Sequence, residues 1–215
     1  MDWTERLDGY CERLGPSFWA EPVNAATNIA FVLAALIMWN RSEGIGRVLC
    51  VILAAIGVGS FLFHTYATMW AMLTDVLPIL LFILVYVFAA NRDFWGMRAW
   101  VAGVGTALFV PYAAATGWVF GALPFFEISA GYWPVALLIA IYGFLLRDRY
   151  PATGRGLLIG AGILTLSLTF RSLDMPVCDA LPLGTHFMWH VLNGIMLGWM
   201  IHVHARHLRR YRSTS

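Results

Sequence analysis

The feature that most restricts the fold is a series of long apolar segments. A helix needs about 20 predominantly apolar residues to cross the hydrocarbon core of a bilayer. Seven segments near that length occur along the 215-residue chain. They cover residues 24–39, 47–66, 71–90, 97–116, 130–146, 156–173 and 183–204. The sequence therefore predicts an all-α membrane protein, folded as a bundle of seven transmembrane helices.

The composition agrees with this fold class. Of the residues, 60% are hydrophobic and only 12% are charged, against about 25% charged in a typical soluble domain. No shift in composition divides the chain, so we predict one domain over 1–215, with an outer amino-terminal segment 1–23 and a basic cytoplasmic tail 205–215. The net charge is only +2 and the arginines are scattered, so no nucleic-acid partner is predicted.

The distribution of arginine predicts the orientation. Positively charged loops are retained on the cytoplasmic side of a membrane. With seven spans, one side carries only Arg6, Arg13 and Arg171. The other side carries Arg41, Arg47, Arg92, Arg98, Arg147, Arg149, Arg155, Arg206, Arg209, Arg210 and Arg212. We therefore expect the amino terminus outside and the carboxyl terminus in the cytoplasm.

Five polar residues interrupt the apolar segments. Ser60 and His64 are four residues apart, as are His186 and His190, so each pair occupies one face of its helix. Asp75 follows His64 by eleven residues, across a Tyr-Ala-Thr break. The second span ends outside, and the third and seventh spans begin there. We therefore expect all five residues at the outer end of the bundle, around one metal ion.

The residue types indicate hydrolytic chemistry. Three imidazoles with an open position form a common catalytic zinc site, in which the metal activates water and polarises a carbonyl. The predicted ligands are His64, His186 and His190. Asp75 would be either a partner that orients a ligand or the general acid and base. Ser60 would hydrogen-bond the developing oxyanion.

Each of these residues also has a purely structural interpretation. A single histidine or serine in a membrane helix can simply hydrogen-bond the backbone. Ionisable residues inside membrane segments are rare and usually functional, however, and several converge here, so we favour the metal site. His202, His204 and His207 lie beside the cytoplasmic arginines. We expect these three at the level of the lipid headgroups.

The cysteines follow the predicted topology. Cys11 and Cys178 both lie on the outer side, whereas Cys50 lies at the inner end of the second span. Disulfides form in oxidising compartments outside the cytosol. We therefore predict a disulfide between Cys11 and Cys178, the alternative being two free thiols, because spacing does not show that their backbones approach.

Several longer motifs surround these residues. They are Y-C-E at 10–12, A-E-P-V-N at 20–24, G-V-G-S-F-L-F-H at 57–64, R-S-L-D at 171–174 and G-T-H-F-M-W-H at 184–190. With Asp75 and Cys178, they give a chain that resembles the alkaline ceramidase family, within the CREST group of seven-helix membrane hydrolases. The S-x-x-x-H and H-x-x-x-H motifs are shared by the whole group, and the two amino-terminal motifs narrow the likeness to ceramidases.

The resemblance implies a zinc-dependent amidase that cleaves ceramide into sphingosine and a fatty acid. His64, His186 and His190 match the family's zinc ligands, Asp75 its catalytic aspartate and Ser60 its substrate-polarising serine. The family's disulfide maps onto the two outer cysteines. The expected partners are a ceramide-like lipid and the bilayer. The expected location is a bacterial plasma membrane, with the site facing the periplasm.

The resemblance also implies a calcium site in the amino-terminal segment. The matching carboxylates are Glu12 and Glu21, with Asp8 one position out of register. Gly9 and Leu14 stand where the family has an aspartate and an asparagine. Calcium requires six to eight oxygen ligands. The departure therefore favours the alternative that these carboxylates form a solvated outer face.

Three other functions are compatible with parts of the pattern. A CREST hydrolase acting on another lipid amide or ester would share the zinc site. A receptor of the progestin and adiponectin type would share the serine, aspartate and histidines, but would place its amino terminus in the cytoplasm, against the arginine distribution. A transporter would need a polar path through the bundle, and the inner halves of the second, third and seventh spans offer none.

Overall fold

The computed structural model describes residues 2–211, and this part of the chain is helical, with turns and a single isolated bridge between Arg6 and Thr68. A π-helical turn covers Ala90–Phe94 and a 3-10 turn covers Glu127–Ser129. The α-helices are α1 (Pro22–Thr27), α2 (Ile29–Trp39), α3 (Ile45–Tyr66), α4 (Met69–Ala89), α5 (Ala99–Ala107), α6 (Phe109–Gly121), α7 (Trp133–Leu146), α8 (Pro151–Leu173) and α9 (His186–Tyr211).

The helices coincide with the predicted apolar segments but begin and end at somewhat different residues. Segment 24–39 consists of α1 and α2, and segment 97–116 consists of α5 and α6. Within the described residues, five helical stretches are long and apolar enough to cross a membrane: Pro22–Trp39, Ile45–Tyr66, Met69–Phe94, Ala99–Gly121 and Pro151–Leu173. The apolar helix α7 is shorter, and α9 is not among the five. These helices indicate a membrane protein.

The carboxyl-terminal end differs from the prediction. The last segment was expected to end at His204 and to be followed by a basic tail over 205–215, but α9 continues to Tyr211. His207 is buried and its Nδ1 pairs with Thr153 Oγ1 of α8 at 2.9 Å. Arginines in the last turn also suit the negative end of the helix dipole. The predicted tail residues 212–215, Arg212 among them, lie outside the described residues.

Close helix packing brings the site-bearing helices together. Gly59 of α3 lies against the Thr74 carbonyl of α4, where a Cβ would have no room. This approach aligns α3 with α4 just before Ser60 and Asp75. On the other side, α9 packs against α2 and α8. The shared core includes Leu53 and Met200, which are almost fully buried.

The amino-terminal segment is fastened across one end of this bundle. The predicted disulfide is present: Cys11 and Cys178 are bonded, with their Cα atoms 5.5 Å apart. The Leu7 amide donates to the carbonyl of Ala67 at 2.8 Å, just after α3 ends. The segment before α1 therefore covers the ends of α3 and α9 where the predicted histidines lie.

Candidate metal centre

Three histidines from two distant stretches form one buried cluster. His64, His186 and His190 have exposed fractions of 1%, 1% and 0%. Their ring centroids are 4.6 to 5.1 Å apart. One nitrogen from each ring lies within 4.8 Å of the other two, and among the described residues this is the only group that meets that criterion for holding a metal ion. The structure thus brings the two histidine motifs together.

Helix ends set the positions of these rings. His64 lies in the last turn of α3, which ends where Ala67 adopts a left-handed conformation. His186 opens α9, and its amide donates to Asp174 Oδ1 at 2.8 Å. Gly184, with φ of +65°, lets the chain turn beside Asp174 where a side chain would collide. His190 follows one turn later on α9.

The hydrogen bond of His64 defines which of its nitrogens is available. His64 Nδ1 lies 2.6 Å from Glu21 Oε2. A carboxylate can only accept, so Nδ1 carries the proton and donates it. His64 Nε2 then has a free lone pair, which is the usual arrangement of a carboxylate-oriented metal ligand.

His190 is oriented in the same way by a hydroxyl. Its Nδ1 lies 3.0 Å from Thr27 Oγ1. Thr27 has one hydroxyl proton, which the backbone carbonyls of Val23 and Asn24 accept at 2.8 and 3.1 Å. The oxygen is therefore the acceptor for His190 Nδ1–H, and Nε2 of His190 is left with its lone pair.

The unsatisfied atoms of the cluster fit a metal ion. His190 Nε2 and His186 Nδ1 are buried and have no hydrogen-bond partner among the described residues. A buried polar atom without a partner costs about 1–3 kcal/mol. A cation bound between the three rings would satisfy such nitrogens, and neutral imidazole is the commonest metal ligand. The cluster can therefore hold a metal ion.

Buried groups surround the cluster and hold its ligands. The Arg13 guanidinium forms an ion pair with Glu21 and donates to the His64 carbonyl at 3.0 Å. Burial acts to raise the pKa of the Glu21 carboxyl, but its bond to His64 and the charge of Arg13 outweigh burial and lower that pKa. Tyr10 stacks on His186 with 3.8 Å between centroids. Burial raises the pKa of the Tyr10 hydroxyl, which therefore stays protonated.

Ser60 and Asp75 lie beside the cluster and face a cavity. Both residues line it, from α3 and α4 respectively. The Ser60 hydroxyl and the Asp75 carboxylate are close enough to interact, and Asp75 is also close enough to His64 for their charges to interact. The two predicted catalytic residues are thus brought together, one turn of α3 away from the first histidine.

The cavity is long, narrow and apolar. Its walls include Trp189 and Met200 of α9, which are eleven residues apart and hence about 16 Å along the helix axis. Between them the lining is almost entirely aliphatic and aromatic, and the cavity volume is about 70 Å³. A cavity with polar groups at one end and apolar walls beyond suits a molecule with a reactive head and a hydrocarbon chain.

The three carboxylates proposed for calcium do not meet at one point. Glu12 accepts the backbone amides of Val23 and Asn24, both at 2.8 Å. Glu21 binds Arg13 and His64. Asp8 is exposed and lines a different, outer pocket. The structure therefore does not gather these residues into one carboxylate cluster, and calcium binding stays a prediction. The expected solvated outer face is wrong for Glu12 and Glu21, which are both buried.

Sequence reasoning missed the residues that orient the ligands. The sequence pattern predicts no role for Thr27 or Arg13, and it relates Glu21 only to calcium. Asp174 was noted as part of a motif, yet it caps α9 by accepting the amides of Thr185 and His186. One signal was available: Glu21 immediately precedes a helix that begins with Pro22, in an otherwise apolar stretch.

Comparison with known proteins does not assign the chain to a family. No family model matches the chain, and no curated protein matches its sequence.

The contact between Glu21 and His64 gives a prediction for metal affinity. In Glu21→Gln, we expect the metal to bind about 10 to 100 times more weakly, because the His64 ring loses the carboxylate that fixes its tautomer. The measurement is competition for the metal against a chelator of known affinity. The control is Glu12→Gln, which also alters a buried amino-terminal carboxylate but one that touches no histidine. Equal affinities in the two variants would show that Glu21 does not position the ligand.

Proposed function

We propose that this protein is a zinc-dependent membrane hydrolase that cleaves the amide bond of ceramide or a closely related lipid. The products are a sphingoid base and a fatty acid. The observation that carries this proposal is the adjacency of the three buried histidines to the polar end of a long apolar cavity. A metal bound beside a serine and a carboxylate in the wall of such a cavity suits hydrolysis of a lipid.

Zinc is the metal we propose. Imidazole ligands suit zinc, copper, iron and nickel. Zinc has no redox chemistry, and three histidines with an open position are its common catalytic arrangement. When bound, it would activate a water molecule and polarise a carbonyl oxygen. His64, His186 and His190 would hold it.

Asp75 would carry out the proton transfers, and Ser60 would stabilise the negative charge that develops on the carbonyl oxygen. The Asp75 carboxylate takes a proton from the attacking water, whose oxygen bonds to the amide carbon. As the C–N bond breaks, Asp75 returns that proton to the leaving nitrogen. The Ser60 hydroxyl donates to the carbonyl oxygen as negative charge develops there. The water is thus divided between the fatty acid and the amine.

The apolar cavity would bind one hydrocarbon chain of the substrate. Its walls offer few polar partners, so burying the chain is favoured by about 25 cal/mol for each Å² of apolar surface removed from water. The choice of ceramide comes from the resemblance of the 10–12 and 20–24 motifs to those of alkaline ceramidases. The choice of an amide bond comes from the same resemblance, and the side chains support the proposal of a metal-dependent hydrolase.

We further propose seven spans, with the amino terminus outside and the carboxyl terminus in the cytoplasm. The support is the arginine distribution, which concentrates on the side opposite the histidine cluster. In a bacterial plasma membrane the site would then face the periplasm. A reporter that is active on only one side of the membrane, fused after Ser215, would test this orientation.

The proposal is tested by metal analysis of detergent-purified protein together with a panel of lipid substrates. We expect about one zinc per chain and hydrolysis of ceramides, with little hydrolysis of short soluble amides that leave the apolar cavity empty. If another lipid amide or ester is cleaved preferentially, the substrate is not ceramide, but the proposal of a hydrolase still holds. Stoichiometric zinc without hydrolysis of any lipid in the panel would contradict an enzyme and favour the receptor-type alternative.

A further inference from the structure

A second polar pocket lies at the other end of the bundle from the histidine cluster. It is enclosed by the loop between α2 and α3, the first turn of α3 and the last turns of α9. Arg209, which lines it, is 23 residues beyond His186 on α9, or about 35 Å along the axis. The pocket is therefore independent of the proposed hydrolytic site.

Four of the residues that line this pocket are arginines. Arg41, Arg47, Arg92 and Arg209 contribute to its walls, against a single acidic residue, Glu43. The charge of Arg92 is offset by Asp93, which it binds through two hydrogen bonds of 2.8 Å. Without counting Arg209, which donates to the Arg41 carbonyl at 2.9 Å, Arg41 and Arg47 face one glutamate, so the pocket carries a positive potential.

The Arg47 side chain is held in place and still has guanidinium N–H groups available to donate hydrogen bonds. Its Nε donates to the carbonyl of Ser42 at 3.1 Å, and its guanidinium lies over the Trp39 ring at 5.5 Å. A guanidinium has five N–H donors in a planar fork, and that fork matches the oxygens of a phosphate group. The fixed side chain is thus suited to bind such an anion at its remaining donors.

A helix terminus adds to the positive potential. Gly44, Ile45 and Gly46 line the pocket at the start of the 22-residue helix α3, whose N-cap, Gly44, supplies no side-chain hydrogen bond. The Gly46 and Arg47 amides already donate to the carbonyls of Glu43 and Gly44, but the helix dipole is positive there. Such termini bind phosphate groups.

A buried histidine supplies an independent indication of a ligand. His204 lines the pocket, is only 1% exposed and has an Nδ1 with no hydrogen-bond partner among the described residues. Its Nε2 is fixed 2.7 Å from Asp93 Oδ2. Asp93 itself lies in the π-helical turn Ala90–Phe94, a distortion that often marks functional sites. Because Nε2–H donates to that carboxylate, Nδ1 keeps its lone pair and can accept a hydrogen bond, as from the P–OH group of a phosphate monoester.

We propose that this pocket binds a phosphate group, carried by an anionic lipid headgroup or by a soluble phosphate. Arg41 and Arg47 donate to the phosphate oxygens, the positive end of the α3 dipole adds to the attraction, and the buried His204 Nδ1 accepts from a P–OH group. Basic pockets between membrane helices are known to bind such headgroups.

The test uses the intact detergent-purified protein and two double variants. Native mass spectrometry would follow titration with phosphatidic acid, with phosphatidylcholine and with inorganic phosphate. One variant, Arg41→Gln with Arg47→Gln, removes two exposed charges from the pocket. Its control, Arg147→Gln with Arg149→Gln, removes two charges from the turn between α7 and α8 at the same end of the bundle, outside the pocket.

We expect saturable binding of phosphatidic acid to the unmodified protein, weakened about tenfold or more in the pocket variant and less than about twofold in the control. Binding of inorganic phosphate with the same dependence would identify a soluble ligand, and binding of phosphatidic acid alone a lipid headgroup. If both double variants lose the same affinity for phosphatidic acid, the binding depends only on general surface charge, and the proposal is overturned. The proposal is also overturned if the protein binds phosphatidic acid no more tightly than phosphatidylcholine.

Discussion

His190→Ala is expected to lose both the bound metal and lipid hydrolysis. Only His64 and His186 would remain, and two imidazoles hold a divalent ion poorly. Metal activation contributes several kcal/mol to hydrolysis, and each 1.36 kcal/mol is a factor of ten in rate. Activity should therefore fall by about a thousandfold or more. Zinc content and turnover of ceramide, measured on the same preparation, check the prediction.

A histidine elsewhere on the same helix provides the matched control. His202→Ala also removes one imidazole from α9, but His202 is three turns away from the cluster and stacks on Trp199. It should keep zinc and activity. Thermal unfolding of both variants separates loss of metal from loss of fold. A His190→Ala protein that binds one equivalent of zinc as tightly as the unmodified chain would remove the histidine cluster from the mechanism.

Asp75→Asn is expected to keep the metal and lose turnover. The amide preserves the size of the side chain and can still contact Ser60, but it cannot accept a proton from water. General acid and base catalysis is worth about 10²–10⁴ in rate, and we expect kcat to fall within that range while KM changes little. The measurement combines steady-state kinetics with metal analysis.

The outcome separates the two roles considered for this residue. If the variant loses zinc as well as activity, Asp75 orients a ligand instead of moving the proton. If it turns over at the unmodified rate, Asp75 has neither role. Asp148→Asn is the control, because Asp148 is 90% exposed in the turn between α7 and α8 and far from the cavity.

Much of the candidate site was accessible from sequence because helical spacing is a local property. Ser60 and His64, like His186 and His190, share a helix face whatever surrounds them. Apolar segments also located the helices to within a few residues, except at the carboxyl end. There the sequence pattern changed from apolar to basic at Ala205, and the helix nevertheless continued to Tyr211 because His207 has a partner on α8.

The partners of the histidines were not accessible in the same way. Glu21 lies 43 residues from His64 and Thr27 lies 163 residues from His190. No local pattern links such positions. The carboxylates at 8, 12 and 21 were grouped for calcium by motif alone, and the structure instead pairs Glu21 with Arg13 and a histidine.

The sequence by itself determined the helices, their apolar faces and which polar side chains share a turn, because these depend on residues only a few positions apart. Tertiary structure decided which histidine nitrogens are free, which carboxylate orients His64 and where Ser60 and Asp75 meet the cavity. Those properties depend on contacts between distant segments. Helix packing at Gly59 and the bond between Cys11 and Cys178 bring these segments together.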